Sequence, residues 1–393
     1  MNGGGPCPLI VIGPTPPPIH GGAFAQLHVL EGLRRADLMA IHVETSDPRP
    51  VWTTNRLDLL NVWFASKHSL VLTVALLRER EADVYLPLSQ GRWGFLRDAV
   101  LIALARVAGR RVVVHLHGGL FADFYRDSSP PERALIRWTL RGVDRAWVLT
   151  EAHVGIFDGL IPRDRVEVLE NCGDDMGPPQ RGEAGGPLRL LYLSNLFAEK
   201  GPFVLLDGLE LLAREGCAIE IRLVGEATAE VAAEVEARCS ALSGRGIAAS
   251  WLGPLVGERK REQYRWAHAF VLPTKYPPEG QPLVLLEAMS AGLAIVSTEH
   301  SGIPWTVRDG VEGLIVPPED PQALAGALRR LLDEDGLVEA LGRAGRTRYE
   351  DVYTPEAFYS RLAALAGATA AGGAGGALTD RATPSIGSSS GSP

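Results

Sequence analysis

Two successive runs of alternating strands and helices constrain the fold of this 393-residue chain more than any other feature. Short, almost entirely apolar segments predict strands in the first half at residues 8–12, 39–43, 84–87, 112–115, 146–149 and 166–169. In the second half they predict strands at residues 188–193, 219–224, 248–252, 269–272, 294–297 and 313–316. Strands that are apolar throughout, alternating with helices, are typical of parallel sheets covered on both faces. The sequence therefore predicts an α/β protein with two doubly wound parallel sheets.

Helices are predicted between these strands. In the first half they cover residues 23–34, 70–80, 94–108 and 131–141. In the second half they cover residues 202–214, 229–243, 259–267, 282–291 and 321–333. Ser69 precedes the second of these helices and is a candidate N-cap, because its hydroxyl can accept a hydrogen bond from the first turn.

A segment rich in glycine, proline and charge separates the two runs, and it predicts two domains. They span residues 1–174 and 188–345, with a linker at residues 175–187. An amphipathic helical segment follows at residues 346–366. The remainder, residues 367–393, is a low-complexity sequence with too little apolar content to order itself. In such sheets ligands bind beyond the carboxyl ends of the strands, so the cleft between the domains is the expected binding site.

Composition excludes several classes of protein. The net charge of -8 argues against a nucleic-acid-binding protein. The longest apolar runs fall far short of the ~20 residues that cross a bilayer, and no GxGxxG follows any strand, which disfavours a NAD-dependent dehydrogenase. Residues 1–5 lack the basic and apolar regions of a signal peptide, and the cysteines show no metal-like spacing. They are Cys7, Cys172, Cys217 and Cys239. We expect reduced thiols and a cytoplasmic protein.

The most informative short motif is a pair of glutamates, Glu279 and Glu287, eight positions apart. Glu279 lies on a Pro/Gly-rich loop after a predicted strand, and Glu287 lies on the following helix, whose first turn accommodates Pro282. The N-terminus of that helix lies between the two carboxylates and favours anions. Two hydrogen-bond acceptors on either side of a phosphate site suit a nucleotide sugar as the ligand. The alternative is that Glu279 belongs to an ordinary surface loop and Glu287 to an ordinary capped helix.

Residues 273–302 resemble the donor-site motif of the retaining glycosyltransferases of family 4 (glycosyl transferases group 1). The residues in register are Glu279, Gly280, Pro282, Leu283, Glu287, Ala288, Met289 and Gly292. The resemblance extends over residues 8–365. It implies the GT-B fold, with two facing Rossmann-like domains and a terminal helix that crosses back onto the first domain. It also implies retaining, metal-independent transfer from a nucleotide sugar, with no cofactor.

The resemblance assigns roles to individual residues. Glu279 and the Gly280 backbone would hold the sugar hydroxyls, Glu287 the ribose, and Lys200 the leaving diphosphate. His117 would form a hydrogen bond to the transferred sugar. The catalytic residues so implied are Glu279, His117 and Lys200. The other donor-binding residues are Gly21, Gly22, Asn195, Gly225, Gly280, Gln281, Pro282, Leu283 and Glu287.

Two positions depart from the family pattern. Asn195 stands where the family has an arginine, which leaves part of the diphosphate charge unbalanced, with Arg222 or Arg259 as conceivable substitutes. Trp305 stands where an acidic residue often follows the motif. His115 and His117 lie on one face of a strand and superficially suggest a metal pair, but no third ligand has suitable spacing. We predict no metal site.

The implied function is transfer of a sugar to a saccharide or lipid-linked saccharide acceptor in polysaccharide or glycoconjugate biosynthesis. A sugar-nucleotide epimerase or a phosphorylase on the same scaffold, and a non-catalytic nucleotide-sugar-binding protein, are the alternatives. Clustered arginines could attract anionic lipid headgroups, although solvated helix ends are the preferred explanation. They are Arg78, Arg80, Arg106, Arg110 and Arg111. Peripheral association with the inner face of the membrane therefore stays open.

Overall fold

The computed structural model describes residues 8–16, 21–46, 58–179 and 186–370, and its first half contains a six-stranded parallel sheet. The strands are β1 (Leu9–Gly13), β2 (Met39–Glu44), β3 (Asp83–Pro87), β4 (Val112–Leu116), β5 (Arg145–Val148) and β6 (Val166–Val168). Their order is β2-β1-β3-β4-β5-β6. Alternate residues of β1 enter different cores, with Ile10 and Ile12 on one face and Leu9 and Val11 on the other.

The second half forms another six-stranded parallel sheet. Its strands are β7 (Leu188–Leu193), β8 (Ile219–Val224), β9 (Ala248–Trp251), β10 (Ala269–Leu272), β11 (Ala294–Thr298) and β12 (Gly313–Val316). They are ordered β12-β11-β10-β7-β8-β9, so the chain winds outward from β7 in one direction and then from β10 in the other. The prediction of two doubly wound sheets is confirmed, and each predicted strand has a counterpart.

Helices cover both sheets. In the first half they are α1 (Gly21–Arg35), α2 (Leu59–Arg78), α3 (Arg92–Val107), α4 (Phe121–Asp127) and α5 (Pro130–Leu140). In the second half they are α6 (Pro202–Arg214), α7 (Ala229–Ser243), α8 (Gly257–Trp266), α9 (Leu283–Ser290), α10 (Ile303–Thr306) and α11 (Pro321–Asp333). The described part of the chain ends with α12 (Leu337–Arg348) and α13 (Pro355–Ala370). The short helix α4, which contributes the buried Phe121 to the core, was not predicted.

The predicted N-terminus of α2 is wrong. The helix begins at Leu59 rather than at residue 70, and the Asp58 side chain caps it by accepting a 2.7 Å hydrogen bond from the Asn61 N–H. Ser69 is inside the helix, where its hydroxyl donates to the Ala65 carbonyl at 2.8 Å. The polar residues 66–69 interrupt the apolar run but not the helix, because helical continuity depends on backbone hydrogen bonds and not on unbroken hydrophobicity.

α2 also meets the length and apolar composition of a membrane-spanning helix, with 20 residues, which the run lengths did not predict. Its inner side nevertheless belongs to the fold. Leu72, Ala75 and Leu76 are buried in the core between the helix and the first sheet. In this structure the helix therefore lies along the sheet, with its other side outward.

The last helix returns to the first half of the molecule. After a single π turn at Tyr349–Tyr353, α13 packs against α1, and Phe358 and Leu362 share a core with Val29 and Leu33. A second core fills the space on the other face of the first sheet, and a third surrounds the second sheet. α13 extends to Ala370, whereas residues 371–393 of the predicted disordered tail and residues 180–185 of the predicted linker lie outside the described residues.

Candidate active site

The strand order of the second sheet brings Lys200 and Glu279 together. Lys200 follows β7 and Glu279 follows β10, and these neighbouring strands lead in opposite directions across the sheet. Such a switch point leaves a crevice at the carboxyl edge, where ligands of doubly wound sheets bind. The Lys200 Nζ donates to the Glu279 carboxylate at 2.5 Å, and both side chains are nearly buried. Topology, not sequence proximity, forms this pair.

Aromatic rings and a tight turn hold Lys200 in place. Its Nζ lies 4.4 Å from the centroid of the Tyr276 ring, which stacks on Phe197. Gly201, next in the chain, has a φ of 78°, and a β-carbon there would collide with the Pro273 carbonyl. The ammonium group therefore sits between a ring face and a carboxylate, a setting that favours a cation.

Glu287 has a second, similar set of partners, which the sequence analysis missed. The Tyr264 hydroxyl donates to its Oε2 at 2.7 Å, and the Lys260 Nζ donates to its Oε1 at 2.6 Å. Both partners come from α8, and the contact between the two helices leaves no local sequence signal. Beside the Glu287 carboxylate, burial raises the pKa of Tyr264 well above its usual value. The tyrosine thus stays a hydrogen-bond donor.

The N-terminus of α9 lies between these two carboxylate–lysine pairs in sequence. The helix starts at Leu283, one residue later than predicted, because Pro282 has an extended backbone and occupies the N-cap position. A proline side chain cannot cap, and within the described structure no side chain caps this end. The Leu285 N–H donates to the Pro282 carbonyl at 3.1 Å, and the N–H groups before it, at Leu283 and Val284, remain for an anion.

The first domain reaches this site through its own glycine-rich loop. Gly280 packs so closely on it that a β-carbon at Gly280 would lie 2.8 Å from the His117 carbonyl oxygen. A β-carbon at Gly118 would in turn collide with the Pro278 carbonyl. The loops after β4 and β10 can approach to this distance only because both positions are glycine. His117 and Glu279, predicted from separate motifs, therefore lie on contacting loops.

Both ring nitrogens of His117 are buried, and neither has a hydrogen-bond partner among the described residues. Burial lowers its pKa to about 4, so the imidazole is neutral at physiological pH. Its ring lies 3.9 Å, centroid to centroid, from that of His115, whose Nδ1 accepts from the Tyr85 hydroxyl at 3.0 Å. A buried polar group without a partner is uncommon in folded proteins. No group of three metal-binding side chains accompanies these histidines within the described part of the chain.

A hydrogen-bonded chain joins the first domain to the Glu279 backbone. The Ser301 hydroxyl donates to the Glu279 carbonyl at 2.6 Å and accepts from the His153 Nε2 at 3.1 Å. The Thr150 hydroxyl then donates to the His153 Nδ1 at 2.7 Å. Burial lowers the pKa of His153 to about 4, consistent with this neutral tautomer. His153 was not predicted, since nothing in the sequence near it distinguishes it from a core histidine.

The side chain of Gln281, predicted to bind the donor, has hydrogen-bond partners within the protein. Its Oε1 accepts from the Asn171 N–H at 2.7 Å and its Nε2 donates to the Thr306 hydroxyl at 3.2 Å. The Oε1 contact connects the two domains, because the chain leaving β6 passes beside the start of α9, whereas the Nε2 contact lies within the second domain. Both ends of the Gln281 amide therefore have protein partners in this structure.

Asn195 and Gly225 lie at the carboxyl ends of β7 and β8. Asn195 lines a mainly apolar cavity of about 320 Å³ together with Phe197 and Glu226. Gly225 has a φ of 149°, and a β-carbon there would collide with the Ser194 carbonyl, so the turn after β8 requires glycine. Gly21 and Gly22 form the exposed start of α1, and residues 17–20 before them are outside the described residues.

The two conceivable substitutes for the missing arginine have different surroundings. Arg222 lies over the Trp266 ring at 3.8 Å and donates to the Gln263 amide oxygen at 2.9 Å. Arg259 is exposed on α8, and its neighbour Lys260 is the residue that reaches Glu287. Trp305 is half exposed on α10, and its carbonyl oxygen accepts from Arg348 at 2.8 Å.

Comparison with known sequences finds relatives for the second half. Residues 187–334 match the family model for glycosyl transferases group 1. This part of the chain is therefore similar to group 1 glycosyltransferases. An amylovoran biosynthesis glycosyltransferase from Erwinia amylovora is 30% identical over 187 residues, which cover 46% of this chain and 44% of that protein. A D-inositol 3-phosphate glycosyltransferase from Streptomyces griseus is 31% identical over 257 residues, with coverages of 61% and 52%. The chain spans about half the length of the curated relatives it matches.

Solved structures extend the likeness to both domains. A sucrose-phosphate synthase from Thermosynechococcus elongatus has a TM-score of 0.69 at 17% identity, with 91% of this chain and 98% of that chain covered. Anabaena HepE in complex with UDP and glucose has a TM-score of 0.68 at 16% identity, with coverages of 91% and 99%. At these identities the likeness concerns the fold, and it confirms the predicted GT-B architecture.

Proposed function

We propose that this protein is a retaining glycosyltransferase that moves a sugar from a nucleotide-sugar donor to a hydroxyl of a saccharide or lipid-linked saccharide. The observation that carries the proposal is the buried Lys200–Glu279 pair at the switch point of a domain similar to group 1 glycosyltransferases. Relatives named for amylovoran and colanic acid biosynthesis support a role in polysaccharide assembly.

Each predicted residue has a definite task in this proposal. The donor diphosphate binds at the N-terminus of α9, and Lys200 turns from Glu279 toward it. This movement releases the Glu279 carboxylate for the sugar hydroxyls. Glu287 has lone pairs left after binding Lys260 and Tyr264, and it uses them for the ribose hydroxyls. His117, neutral and without a partner in the described structure, forms a hydrogen bond to the sugar.

The reaction then depends on positioning and electrostatics. The bond between the anomeric carbon and the phosphate oxygen breaks, and a bond to the acceptor oxygen forms on the same face of the sugar. The acceptor proton passes to the departing phosphate. Lys200 and the α9 N-terminus stabilise the developing negative charge, so we propose that no metal ion takes part. Undiminished transfer in excess EDTA is the expected result.

The decisive experiment is a thermal-shift screen against UDP, GDP, ADP and TDP sugars, followed by transfer assays with the donor that raises the melting temperature. Nuclear magnetic resonance of the product should show the anomeric configuration of the donor. Isomerised sugar without an acceptor would indicate an epimerase, and sugar phosphate released from glycan and inorganic phosphate would indicate a phosphorylase. Donor binding without turnover on any acceptor pool would identify a non-catalytic protein. Each of these outcomes would overturn the proposal.

We further propose a cytoplasmic location, with the protein associated peripherally with the inner face of the membrane. The support for this is chemical. Nucleotide sugars are cytoplasmic substrates, and a lipid-linked acceptor lies at the bilayer surface. Fractionation of cells that produce the full chain should divide it between the soluble and membrane fractions, with the membrane-bound part released by high salt.

A further inference from the structure

The outer side of α2 is apolar, which is unusual for a helix on the surface of a globular domain. Its exposed residues recur every three or four positions along the helix: Leu60, Trp63, Lys67, Leu70, Val74 and Leu77. Trp63 is 56% exposed, Leu70 66% and Leu77 67%. The pattern forms one continuous stripe along the helix, on the side away from the buried Leu72 and Leu76. A contiguous exposed apolar surface of this kind marks an interaction site.

The surface continues onto neighbouring helices. α3 packs beside α2 and exposes Leu96, Val100 and Val107. α5 packs beside α3, and its half-exposed Trp138 lies 5.5 Å below the guanidinium of Arg106. We call this surface the α2–α3 face and define it by these residues together with the α2 stripe. It therefore combines aliphatic side chains with two exposed tryptophans.

The charges on this face are almost all positive. The basic residues of α2 and α3 are Lys67, Arg78, Arg92, Arg97 and Arg106. The single acidic residue in the two helices is Asp98, which is buried and paired with Arg97 at 2.8 Å. Asp58 and Glu79 lie at the ends of α2, and Glu132 of α5 pairs with Arg92 at 2.5 Å. Apolar side chains surrounded by lysine and arginine are typical of surfaces that bind anionic lipid bilayers.

We propose that the α2–α3 face docks on an anionic bilayer, with Trp63 and Trp138 at the headgroup level and the lysine and arginine side chains on lipid phosphates. Lys67 lies in the middle of the apolar stripe, with its Nζ 5.6 Å from the Trp63 ring, so its charge can reach the headgroups while its stem stays apolar. A dimer formed through this face would bring the positive charges of two copies together in an apolar contact. The phosphates of an anionic bilayer would instead neutralise those charges.

Docking in this way would orient the active site. In a parallel α/β sheet each helix runs opposite to its strands, so the N-termini of α2 and α3 lie at the carboxyl edge that faces the interdomain cleft. The face thus extends from the cleft edge across the first domain. A lipid-linked acceptor anchored in the same bilayer would enter the cleft from this side. This acceptor role rests on the proposed function, whereas bilayer binding itself does not.

Co-sedimentation of the full chain with vesicles tests the proposal. We expect binding to vesicles of phosphatidylcholine mixed with phosphatidylglycerol, weakened by salt, and at least about tenfold weaker binding to phosphatidylcholine alone. The variants Trp63→Ser/Leu70→Ser and Lys67→Glu/Arg106→Glu should each reduce binding to the mixed vesicles about tenfold. Val256→Ser/Val311→Ser, which changes exposed apolar residues of the second domain, is the matched control and should bind like the unmodified chain.

Several results would overturn the proposal. These are absence of binding to the mixed vesicles, equal binding to both vesicle types, equal losses in the control variant, or a dimer in solution that Leu70→Ser dissociates. Melting curves of the variants distinguish lost docking from lost folding, since all the substituted side chains are exposed. Donor binding measured in parallel separates the two proposals: failure of docking leaves the donor-induced thermal shift intact, and failure of the proposed function leaves vesicle binding intact.

Discussion

Two glutamates of the donor motif each have a lysine and an aromatic residue as partners. Lys200 is held between Glu279 and the ring of Tyr276, while Lys260 reaches Glu287 beside Tyr264. An ion pair that is nearly buried gains little stability beyond the cost of desolvating its charges. Its presence at a ligand cleft is better explained by function: the partners keep both carboxylates oriented until the donor arrives.

Removing the charges of the first pair should abolish most transfer. We expect Lys200→Ala and Glu279→Ala each to lower kcat about 100-fold or more, because the diphosphate loses its cation or the sugar loses its acceptor. The double variant Lys200→Met/Glu279→Gln leaves no unpaired charge and should fold normally while remaining inactive. Lys275→Met is the matched control, since Lys275 pairs with the exposed Glu319. Near-normal turnover in the double variant would contradict the assignment.

The tyrosine beside Glu287 gives a milder and more specific prediction. Tyr264→Phe removes only the hydroxyl that donates to the carboxylate at 2.7 Å. Donor affinity should fall about tenfold, since a hydrogen bond to a charged group contributes ~1.5 kcal/mol. KM should rise while kcat stays nearly constant, which titration and steady-state kinetics can both measure. Tyr125→Phe, on the exposed side of the first domain, should change neither, and an equal effect there would refute the positioning role.

At the scale of elements, the contact between α1 and α13 joins the last described helix to the first domain. Gly32 of α1 lies where a β-carbon would come within 2.8 Å of the Leu362 and Tyr359 side chains of α13. The absence of a side chain at residue 32 therefore lets the last helix return to the first domain. The contact between α1 and α13 thus ties the last described helix to the first domain, although the second domain precedes that helix in the sequence.

Gly32→Val should lower the free energy of unfolding by about 1–3 kcal/mol, because overpacking forces the two helices apart. Gly326→Val offers the matched control. Gly326 is also a helical glycine, in α11, but a β-carbon there would meet nothing within 4 Å. Valine at residue 326 should be neutral or slightly stabilising, given the low helix propensity of glycine. Urea denaturation of both variants measures the free energy of unfolding. Equal effects of the two substitutions would mean that the contact between α1 and α13 is not tightly packed.

For the whole molecule, buried histidines make stability depend on pH. Burial holds the pKa of His117 and of His153 at about 4, against an ordinary value of 6.5 in the unfolded chain. The unfolded state therefore binds these protons first as the pH falls. The stability from each neutral histidine is complete above pH 6.5 and declines as the pH falls toward 4.

Between pH 6.5 and 5 the free energy of unfolding should fall by roughly 2 kcal/mol for each of these histidines. His117→Gln and His153→Gln should each reduce the fall by that amount, as measured by urea denaturation at the two pH values. Because carboxylates contribute to the total, the difference between variant and unmodified chain is the informative quantity. If both variants lost as much free energy of unfolding between pH 6.5 and 5 as the unmodified chain, these side chains would not be buried as neutral imidazoles.

The strand positions and the class of the donor motif could be predicted from the sequence because their signals are local. An apolar run of four to six residues predicts a strand, and the proline and glycine around Glu279 predict a loop, whatever the distant parts of the chain contain. The start of α2 was missed for a related reason: Ser69 resembles a cap locally, whereas Asp58 caps the real helix end. Local pattern therefore identifies elements better than it identifies their ends.

The sequence by itself determined two doubly wound sheets, the GT-B family resemblance and the glutamates, lysine and histidine that belong to it. Only the tertiary structure decided the partners of those residues. Lys260 and Tyr264 reach Glu287 from another helix, and His153 reaches Ser301 from another domain. The apolar α2 stripe likewise became visible only once its opposite side was buried. Such contacts depend on strand order and domain packing, which act over separations that no short sequence pattern encodes.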